Sequence, residues 1–355
     1  MTGAIVSIET QPPAGGNAAL LPSTRDLRCP VCAVKSPCRG LERWEGYTLR
    51  HCPACDVIFA DPMIPAGAGF YQRPGDHGCE CLDAIYVDRK TTHQGWEGVS
   101  HNGRLFLRTR PAAGGRLLDA GCGSGLFLHY AKRHYEVTGI DIDGEAITAA
   151  REMYGISDVY SLNLKEFGAA FRDRRFDVIT MFEVLEHLDD PIGHVEVLKS
   201  LLAPGGVLVV SVPNRERKSF NEDKFGIADY PPNHMTRWNA TALRNFITRQ
   251  GFEIITLYSR RSDWYGFFES EDILGYRLKP LIAPLIRRLQ RKRAVGLDHG
   301  RSRVVCEDTP ASRALKLGLK RISSLLWFPL WLPLRISKRP SYGLWLMAAR
   351  KGQVQ

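Results

Sequence analysis

The chain has 355 residues, of which 44% are apolar and 24% charged, the proportions of a globular protein with a sizeable core. This composition excludes a disordered chain, a collagen or a coiled coil as a description of the whole molecule. Residues 1–24 lack the basic start and apolar run of a secretory signal, so we expect a loose leader there. We accordingly expect reduced cysteines and a cytoplasmic location.

The net charge of +10 is distributed unevenly along the chain. Residues 1–276 contain 30 lysines and arginines against 35 acids, whereas residues 277–355 contain 18 against 3. A basic segment attached to a mildly acidic body indicates an anionic partner, with a membrane surface and a nucleic acid as the two candidates.

Two CxxC pairs are separated by 19 residues near the start of the chain. Two tight turns that each carry two thiolates can enclose a tetrahedral metal, and four cysteines are preferred ligands of structural zinc. The pattern therefore predicts a small zinc ribbon over residues 25–62, with the ligands Cys29, Cys32, Cys52 and Cys55. Two disulfides or a redox-active pair are the alternatives.

From residue 116 onward, short apolar strands alternate with amphipathic helices. A strand at 116–120 leads into the loop Gly121-Cys-Gly-Ser-Gly125, and a second strand at 137–141 ends in Asp141. This alternation predicts an α/β fold with a Rossmann-like, doubly wound parallel sheet and a ligand beyond the carboxyl ends of its strands. Asp141 follows Gly125 by 16 residues, which places its carboxylate where it can accept hydrogen bonds from ribose hydroxyls.

The glycine loop differs from two common nucleotide-binding motifs. It lacks the third glycine of the G-x-G-x-x-G dinucleotide fingerprint, and it lacks the Gly-Lys-Ser/Thr of a phosphate-binding loop. A pyrophosphate is therefore not the favoured ligand, and a different adenosine-containing molecule is expected.

Four segments follow one another in an order that resembles the motif series of class I S-adenosylmethionine-dependent methyltransferases. They are LLDAGCGSGLFL at 117–128, VTGIDID at 137–143, RFDVITMFEVLEHLDDP at 175–191 and LLAPGGVLVVSVPN at 201–214. Within that class the series is most similar to the ubiquinone-biosynthesis-like small-molecule methyltransferases. The CPVC…CPAC leader resembles the zinc ribbon that many bacterial members carry.

The resemblance implies S-adenosylmethionine as the cofactor and assigns it a set of contacts. The methionine part would lie on one strand end and the glycine loop, the ribose and adenine on the next strand end, and the sulfonium beside the fourth strand. In that order the residues are Asp119, Gly121, Cys122, Gly123, Ser124 and Gly125; Asp141 and Ile142; Asn163 and Leu164 at the adenine edge; and Phe182 and Glu183.

Methyl transfer to a hydroxyl or an ammonium requires a base that removes a proton. Two histidines are candidates because family members often have one at both places: His187 after the fourth strand, and His234 in the loop that enters a later helix. We favour His234 over His187. The alternative is that either ring only braces its loop.

The chain ends in an insertion and a final strand. The last core strand is expected within 341–355, so residues 261–340 are predicted to be an α-helical insertion that follows a methyltransferase core at 63–260. Residues 294–312 within it are interpreted as a linker between two unusual stretches.

The first unusual stretch, 274–293, is basic and amphipathic, and the second, 322–334, contains no charge but includes Trp327 and Trp331. Spanning a bilayer takes about 20 apolar residues, so the second stretch is too short. Tryptophans with flanking cations are typical of an interfacial anchor. We expect residues 274–293 and 320–335 to contact an anionic membrane surface, with a substrate lid or an oligomer contact as the alternatives. Nucleic acid is disfavoured because no aromatic residues interleave with the basic ones.

These features together predict a cytoplasmic, peripherally membrane-bound methyltransferase that acts on a small-molecule or lipid-linked acceptor, such as a quinone precursor, a glycan or a secondary metabolite. One alternative is a catalytically silent binding protein with the same fold. Another is an RNA methyltransferase, which is disfavoured because the fourth strand ends in Phe-Glu-Val-Leu rather than in an Asn/Asp-Pro-Pro-Tyr loop.

Overall fold

The computed structural model describes most of the chain, namely residues 25–67, 69–70, 89–109, 114–216, 229–259 and 343–351, with shorter stretches between 284 and 318. The leader at 1–24, most of 274–293 and all of 320–335 lie outside the described residues. In the part of the chain that is described, no helix combines the length and the apolarity that crossing a membrane requires.

The N-terminal region is a small antiparallel sheet. Its first four strands are β1 (Arg25–Arg28), β2 (Lys35–Trp44), β3 (Tyr47–His51) and β4 (Ile58–Asp61). One CxxC pair lies in the turn between β1 and β2, and the other lies between β3 and β4. Strands β2 and β3 form a hairpin that turns at Glu45 and Gly46.

A seven-stranded sheet forms the centre of the molecule. In spatial order its strands are β12 (Phe252–Ser259), β15 (Gly343–Arg350), β10 (Leu202–Pro213), β9 (Phe176–Phe182), β6 (Arg116–Ala120), β7 (Glu136–Asp141) and β8 (Val159–Ser161). Strand β15 runs antiparallel to both its neighbours, and the other neighbouring pairs are parallel. The chain order reverses between β6 and β9, the kind of switch point at which doubly wound sheets bind their ligands.

Six helices surround this sheet in the described part of the chain, and the side chain of an asparagine or an aspartate caps four of them. Asp143, Asn163, Asp190 and Asn239 each accept a hydrogen bond from a backbone amide in the first turn of the following helix. These caps satisfy amides that the helix itself leaves unpaired. The helices are α1 (His101–Thr109), α2 (Leu126–Ala131), α3 (Gly144–Tyr154), α4 (Leu164–Ala170), α5 (Pro191–Leu201) and α6 (Ala240–Arg249).

One hydrophobic core joins the N-terminal sheet to the central sheet. Val57 and Phe59 of the ribbon are buried in the same cluster as Val210 of β10 and Phe246 of α6. Trp238 is fully buried in this cluster and donates its Nε1–H to Thr236 Oγ1 at 2.9 Å. The ribbon is therefore packed against the body of the molecule.

Where the predicted helical insertion is described, it contains strands as well as short helical stretches such as 284–285 and 310–312. β13 (Arg291–Asp298) and β14 (Arg301–Glu307) pair antiparallel, and β14 also pairs in parallel with β5 (Thr92–His93). The linker interpretation of 294–312 is wrong for the residues in these strands. Strand β14 contains Val304 and Val305, and β-branched residues favour strands.

Candidate active site at the carboxyl edge of the sheet

The loop Gly121–Gly125 turns sharply between β6 and α2. Its three glycines have φ angles of +84°, +54° and +78°, which residues with a side chain rarely adopt. A Cβ on Gly121 would lie 2.3 Å from Val184 Cγ2, whereas a Cβ on Gly123 would meet no atom within 4 Å. The loop is thus closely packed at its base and open above Gly123, where a ligand can approach the backbone.

Asp141 ends β7 and binds the glycine loop directly. Its Oδ2 accepts the Gly123 amide at 2.8 Å, and its Oδ1 accepts the Asp143 amide at 2.9 Å. Burial raises the pKa of this carboxyl above its usual range. The next side chain, Ile142, is 38% exposed, so an apolar surface is available beside the carboxylate.

Asp119, near the end of β6, is a second buried acid at the same edge. Its carboxyl is 3% exposed and accepts a hydrogen bond from Thr180 Oγ1 at 2.7 Å. Burial, with a further contribution from the charge of Asp141, raises the pKa of Asp119 to about 7. Among the described residues, no lysine or arginine makes a hydrogen bond or an ion pair with either carboxyl group. Two buried acids without a cationic partner suit a cationic ligand, because a bound cation lowers the cost of ionising them.

Cys122 and Ser124 are buried components of the loop. Cys122 is 7% exposed, and burial raises the pKa of its thiol well above the usual range. Its sulfur occupies the space above Gly139, where a Cβ would lie 2.7 Å from it. The Cys122 side chain is therefore a packing group with a protonated thiol.

Asn163 and Leu164 take helix-starting positions. Asn163 Oδ1 accepts the Glu166 amide at 2.9 Å while Glu166 Oε2 accepts the Asn163 amide at 2.8 Å, which is a capping box. Leu164 is buried in the core. The spacing of Asn163 and Glu166 is itself the sequence signal of a capping box, and the sequence interpretation missed it.

Phe182 and Glu183 end β9. Phe182 packs edge-on against Phe127 with a ring-centroid distance of 5.3 Å. Glu183 has a φ of +56°, and its Oε1 accepts hydrogen bonds from Ser211 Oγ at 2.8 Å and from Asn102 Nδ2 at 3.0 Å. Asn102 brings α1 to the edge of the site, a contact that local sequence did not predict.

The two candidate bases lie in contact with each other. The rings of His187 and His234 are perpendicular, with centroids 4.7 Å apart. Burial, with the neighbouring His234 as a second cause, lowers the pKa of His187 to about 3, so its ring is neutral at physiological pH. The Nε2 atoms of His187 and His234 lie 3.8 Å and 4.0 Å from Glu186 Oε1, on a side chain that is 1% exposed.

Both histidines have their Nδ1 atoms close to oxygen atoms of the loop that precedes β11 (Thr236–Arg237). His187 Nδ1 lies 2.6 Å from the Asn233 carbonyl oxygen, which can only accept, so Nδ1 carries the proton. His234 Nδ1 lies 3.2 Å from Asp229 Oδ1. The Asp229 carboxylate therefore orients the His234 ring, a contact that the sequence did not indicate.

The four predicted cysteine ligands come together within the ribbon. The Sγ atoms of Cys29 and Cys55 are 3.7 Å apart and those of Cys32 and Cys52 are 3.8 Å apart. These separations are too long for disulfides, whereas four sulfurs at 2.3 Å from a tetrahedral ion would be about 3.8 Å from one another. The cluster therefore has the dimensions of a four-coordinate metal site.

Residues 97–257 match the family model described as Methyltransferase domain. The chain is 42% identical over 114 residues to the ubiquinone biosynthesis O-methyltransferase of Psychrobacter cryohalolentis, covering 30% of this chain and 44% of that protein. It is 38% identical over 112 residues to the protein of the same name from Azoarcus sp., covering 30% of this chain and 48% of that one. The match thus spans less than half the length of these relatives.

Solved structures of methyltransferases are also similar to this chain. Phosphoethanolamine N-methyltransferase 2 from Haemonchus contortus aligns with a TM-score of 0.48 and 14% identity, over 81% of this chain and 60% of that one. A SAM-dependent methyltransferase from Archaeoglobus fulgidus aligns with a TM-score of 0.42 and 16% identity, over 69% of this chain and 91% of that one.

The family-model match, the sequence relatives and the sheet with its glycine loop at the carboxyl edge agree with one another. Residues 97–257 are therefore similar to a methyltransferase domain, and the α/β sheet on which they lie has the doubly wound order that the sequence predicted.

Proposed function

We propose that this protein transfers the methyl group of S-adenosylmethionine to a small-molecule or lipid-linked acceptor, such as a quinone precursor, a glycan or a secondary metabolite. The observation that carries the proposal is the contact between Asp141 and the Gly123 amide, because it places a carboxylate and an open glycine backbone side by side. The relatives named ubiquinone biosynthesis O-methyltransferase support a hydroxyl-bearing acceptor.

The residues at the sheet edge fit this cofactor. The Asp141 carboxylate can accept hydrogen bonds from the two ribose hydroxyls, and the exposed side chain of Ile142 can pack on the adenine. A cation beside the buried carboxyl of Asp119 would lower the cost of ionising it. This position therefore suits the ammonium group of the methionine part. Bound there, S-adenosylmethionine would supply a methyl group that is already activated by its positive sulfur.

The protein's own contribution is alignment, exclusion of water and removal of a proton. The acceptor's nucleophilic atom forms a bond to the methyl carbon while the carbon–sulfur bond breaks, and the sulfur keeps the electron pair. The acceptor's proton must then pass to a base. We assign this role to His234, because the Asp229 carboxylate beside its Nδ1 favours a proton on Nδ1 and a free lone pair on Nε2. His187 is the second base candidate, since its proton lies on Nδ1 and Nε2 is the unprotonated ring nitrogen.

We further propose that the four-cysteine cluster binds zinc in a structural role. A closed set of four thiolates offers no open position for a substrate. Its ion would therefore fold the ribbon, and the reduced thiols that it requires support a cytoplasmic location.

Attachment to the inner face of the membrane is part of the same proposal. Its support is the sequence of residues 274–293 and 320–335, which combine clustered cations with an uncharged, tryptophan-containing run. An enzyme held at the membrane surface would have direct access to a lipid-linked acceptor.

Substitution Asp141→Ala tests the cofactor assignment. Losing hydrogen bonds to a charged acceptor costs about 2–4 kcal/mol, so calorimetry should show affinity for S-adenosylmethionine reduced roughly 30-fold or more. Asp177→Ala is the matched control, because Asp177 accepts the Arg116 amide at 2.7 Å at the opposite end of the sheet. Equal affinities for the wild type and Asp141→Ala would contradict the assignment.

The raised pKa of Asp119 makes cofactor binding depend on pH. The free protein holds a proton on Asp119 below its pKa of about 7, and a bound cation lowers that pKa and releases the proton. Affinity for S-adenosylmethionine should therefore rise about tenfold between roughly pH 6 and pH 8. Titration calorimetry across this range should show the rise in the wild type and a flat profile in Asp119→Asn. A wild-type affinity that falls with pH would be the wrong sign.

Metal analysis of the purified protein tests the ribbon assignment. We expect one zinc per chain by inductively coupled plasma mass spectrometry, and loss of that zinc in Cys52→Ser. Cys38→Ser is the matched control, because Cys38 is buried in the same ribbon but does not belong to the four-sulfur cluster. Zinc retained in Cys52→Ser, or lost equally in Cys38→Ser, would show that the ligands are wrongly assigned.

Flotation with lipid vesicles tests the membrane attachment. The full chain should float with vesicles that contain anionic lipid and remain behind with neutral vesicles, because cations beside an apolar anchor favour an anionic surface. Deletion of residues 322–334 should reduce the recovered fraction. Recovery that does not change after the deletion would exclude this segment as the anchor.

A further inference from the structure

The loop Asp229–Arg237, which contains His234, is part of the ribbon's sheet. Strand β11 pairs antiparallel with β4, with Thr236 opposite Phe59. The Ala60 amide donates to the Met235 carbonyl oxygen at 2.8 Å. The strand order β1-β2-β3-β4-β11 therefore makes this loop the fifth strand of a sheet whose other four strands belong to the ribbon.

A tyrosine in the same loop makes a second attachment to the ribbon. The Tyr230 hydroxyl lies 2.8 Å from both carboxylate oxygens of Glu42 on β2, and its ring centroid is 4.2 Å from that of Trp44. The Arg237 guanidinium lies over the Tyr230 ring, 4.3 Å from its centroid. The hydrogen bond to Glu42 and the ring packing on Trp44 thus hold the start of the loop to the β2–β3 hairpin, and the cation–π contact joins the two ends of the loop to each other.

The other side of the loop contacts the turn that carries His187. The Met235 amide donates to the Glu186 carbonyl oxygen at 2.7 Å, and His187 Nδ1–H donates to the Asn233 carbonyl oxygen at 2.6 Å. The position of the loop therefore sets both the location of His234 and the tautomer of His187.

The ribbon in turn depends on its four cysteines. The pair Cys52 and Cys55 lies in the turn that joins β3 to β4, and β4 is the strand on which β11 pairs. Asp56, the next residue, accepts hydrogen bonds from Arg215 Nη2 at 2.6 Å and from Asn239 Nδ2 at 2.8 Å. The metal-binding turn is thus connected to the loop through β4 and to the body through Asp56.

The cofactor residues lack such a connection. Among the described residues, no hydrogen bond or ion pair of Asp119, Asp141 or the loop Gly121–Gly125 involves the ribbon over 25–62. The acceptor side of the site depends on the ribbon, and the cofactor side depends on the central sheet.

We propose that the metal-loaded ribbon is the positioning element for the two histidines, and that Tyr230 is a positioning residue within it. Filling of the cysteine site sets the arrangement of the acceptor side and leaves cofactor binding unaffected. This inference rests on the proposed function, because it assigns the histidines to the acceptor side of a methyltransferase site.

Removal of the metal from the full-length protein with a chelator is the first test. Amide exchange at Ala60 and Met235 should become about tenfold faster or more. The Ala60 amide donates to the Met235 carbonyl oxygen and the Met235 amide donates to the Glu186 carbonyl oxygen, so both report on the position of the loop. Nitrogen-15 NMR of the His187 ring should change from one Nδ1-protonated tautomer to a mixture. Affinity for S-adenosylhomocysteine should stay within about twofold.

Two outcomes of this experiment would overturn the inference. Unchanged exchange rates and an unchanged His187 spectrum would show that the ribbon does not position the loop. Loss of S-adenosylhomocysteine binding on metal removal would show that the metal holds the whole fold together. Failure of the metal-loaded protein to bind S-adenosylhomocysteine is a separate result, which would contradict the proposed function instead.

Substitution Tyr230→Phe tests the tyrosine without disturbing the cysteines. We expect faster exchange at Met235 and a broadened His187 signal, with metal content unchanged. Tyr160→Phe is the matched control, because the Tyr160 hydroxyl also donates to a carboxylate, that of Asp158, at 2.7 Å. Tyr160 lies on β8 of the central sheet and not on a strand of the ribbon's sheet. If the two variants have the same exchange rate at Met235, Tyr230 is not a positioning residue.

Discussion

The hydrogen bond from the Gly123 amide to Asp141 is the contact on which the proposed cofactor side of the structure depends. It joins the loop after β6 to the end of β7, the two neighbouring strands beside the switch point of the sheet. It is available only because the loop turns through three glycines with positive φ angles, which brings the backbone amide to the carboxylate. The same turn leaves the space above Gly123 open. The positive φ angles therefore account both for the hydrogen bond to Asp141 and for the space that a ligand would need.

The proposed acceptor side has a different physical basis. Its two histidines are positioned by a loop that forms part of the N-terminal sheet and contacts the turn after β9. A small four-cysteine unit has little core of its own and folds when it binds its metal. Here its buried residues share a cluster with the central sheet, so the ribbon and the methyltransferase domain form one packed body.

Much of the proposed cofactor side could be predicted from sequence because each of its signals is local. The strand-loop-helix pattern lies within residues 116–131, and Asp141 ends the next strand. Each CxxC pair likewise lies within four residues, although the two pairs are 19 residues apart. The structure shows the predicted α/β fold with a central parallel sheet, and it brings the four cysteines together. The residue roles inferred from family resemblance stay predictions until a ligand is bound.

The features that were not predicted depend on contacts between distant segments. The pairing of β11 with β4 joins residues about 180 positions apart, and neither segment's own pattern encodes its partner. The hairpin of β13 and β14 was interpreted as a linker because its charged residues obscure a strand pattern. The capping box of Asn163 and Glu166 was also not predicted, and the place of Asn163 at the adenine edge stays a prediction.

A crystal structure of the protein with S-adenosylhomocysteine would test the central claim most directly. The account predicts ribose hydroxyls within hydrogen-bonding distance, about 2.6–3.0 Å, of the Asp141 carboxylate, and the methionine part over Gly123 beside Asp119. A ligand bound elsewhere, with water in place of the ribose at Asp141, would contradict it.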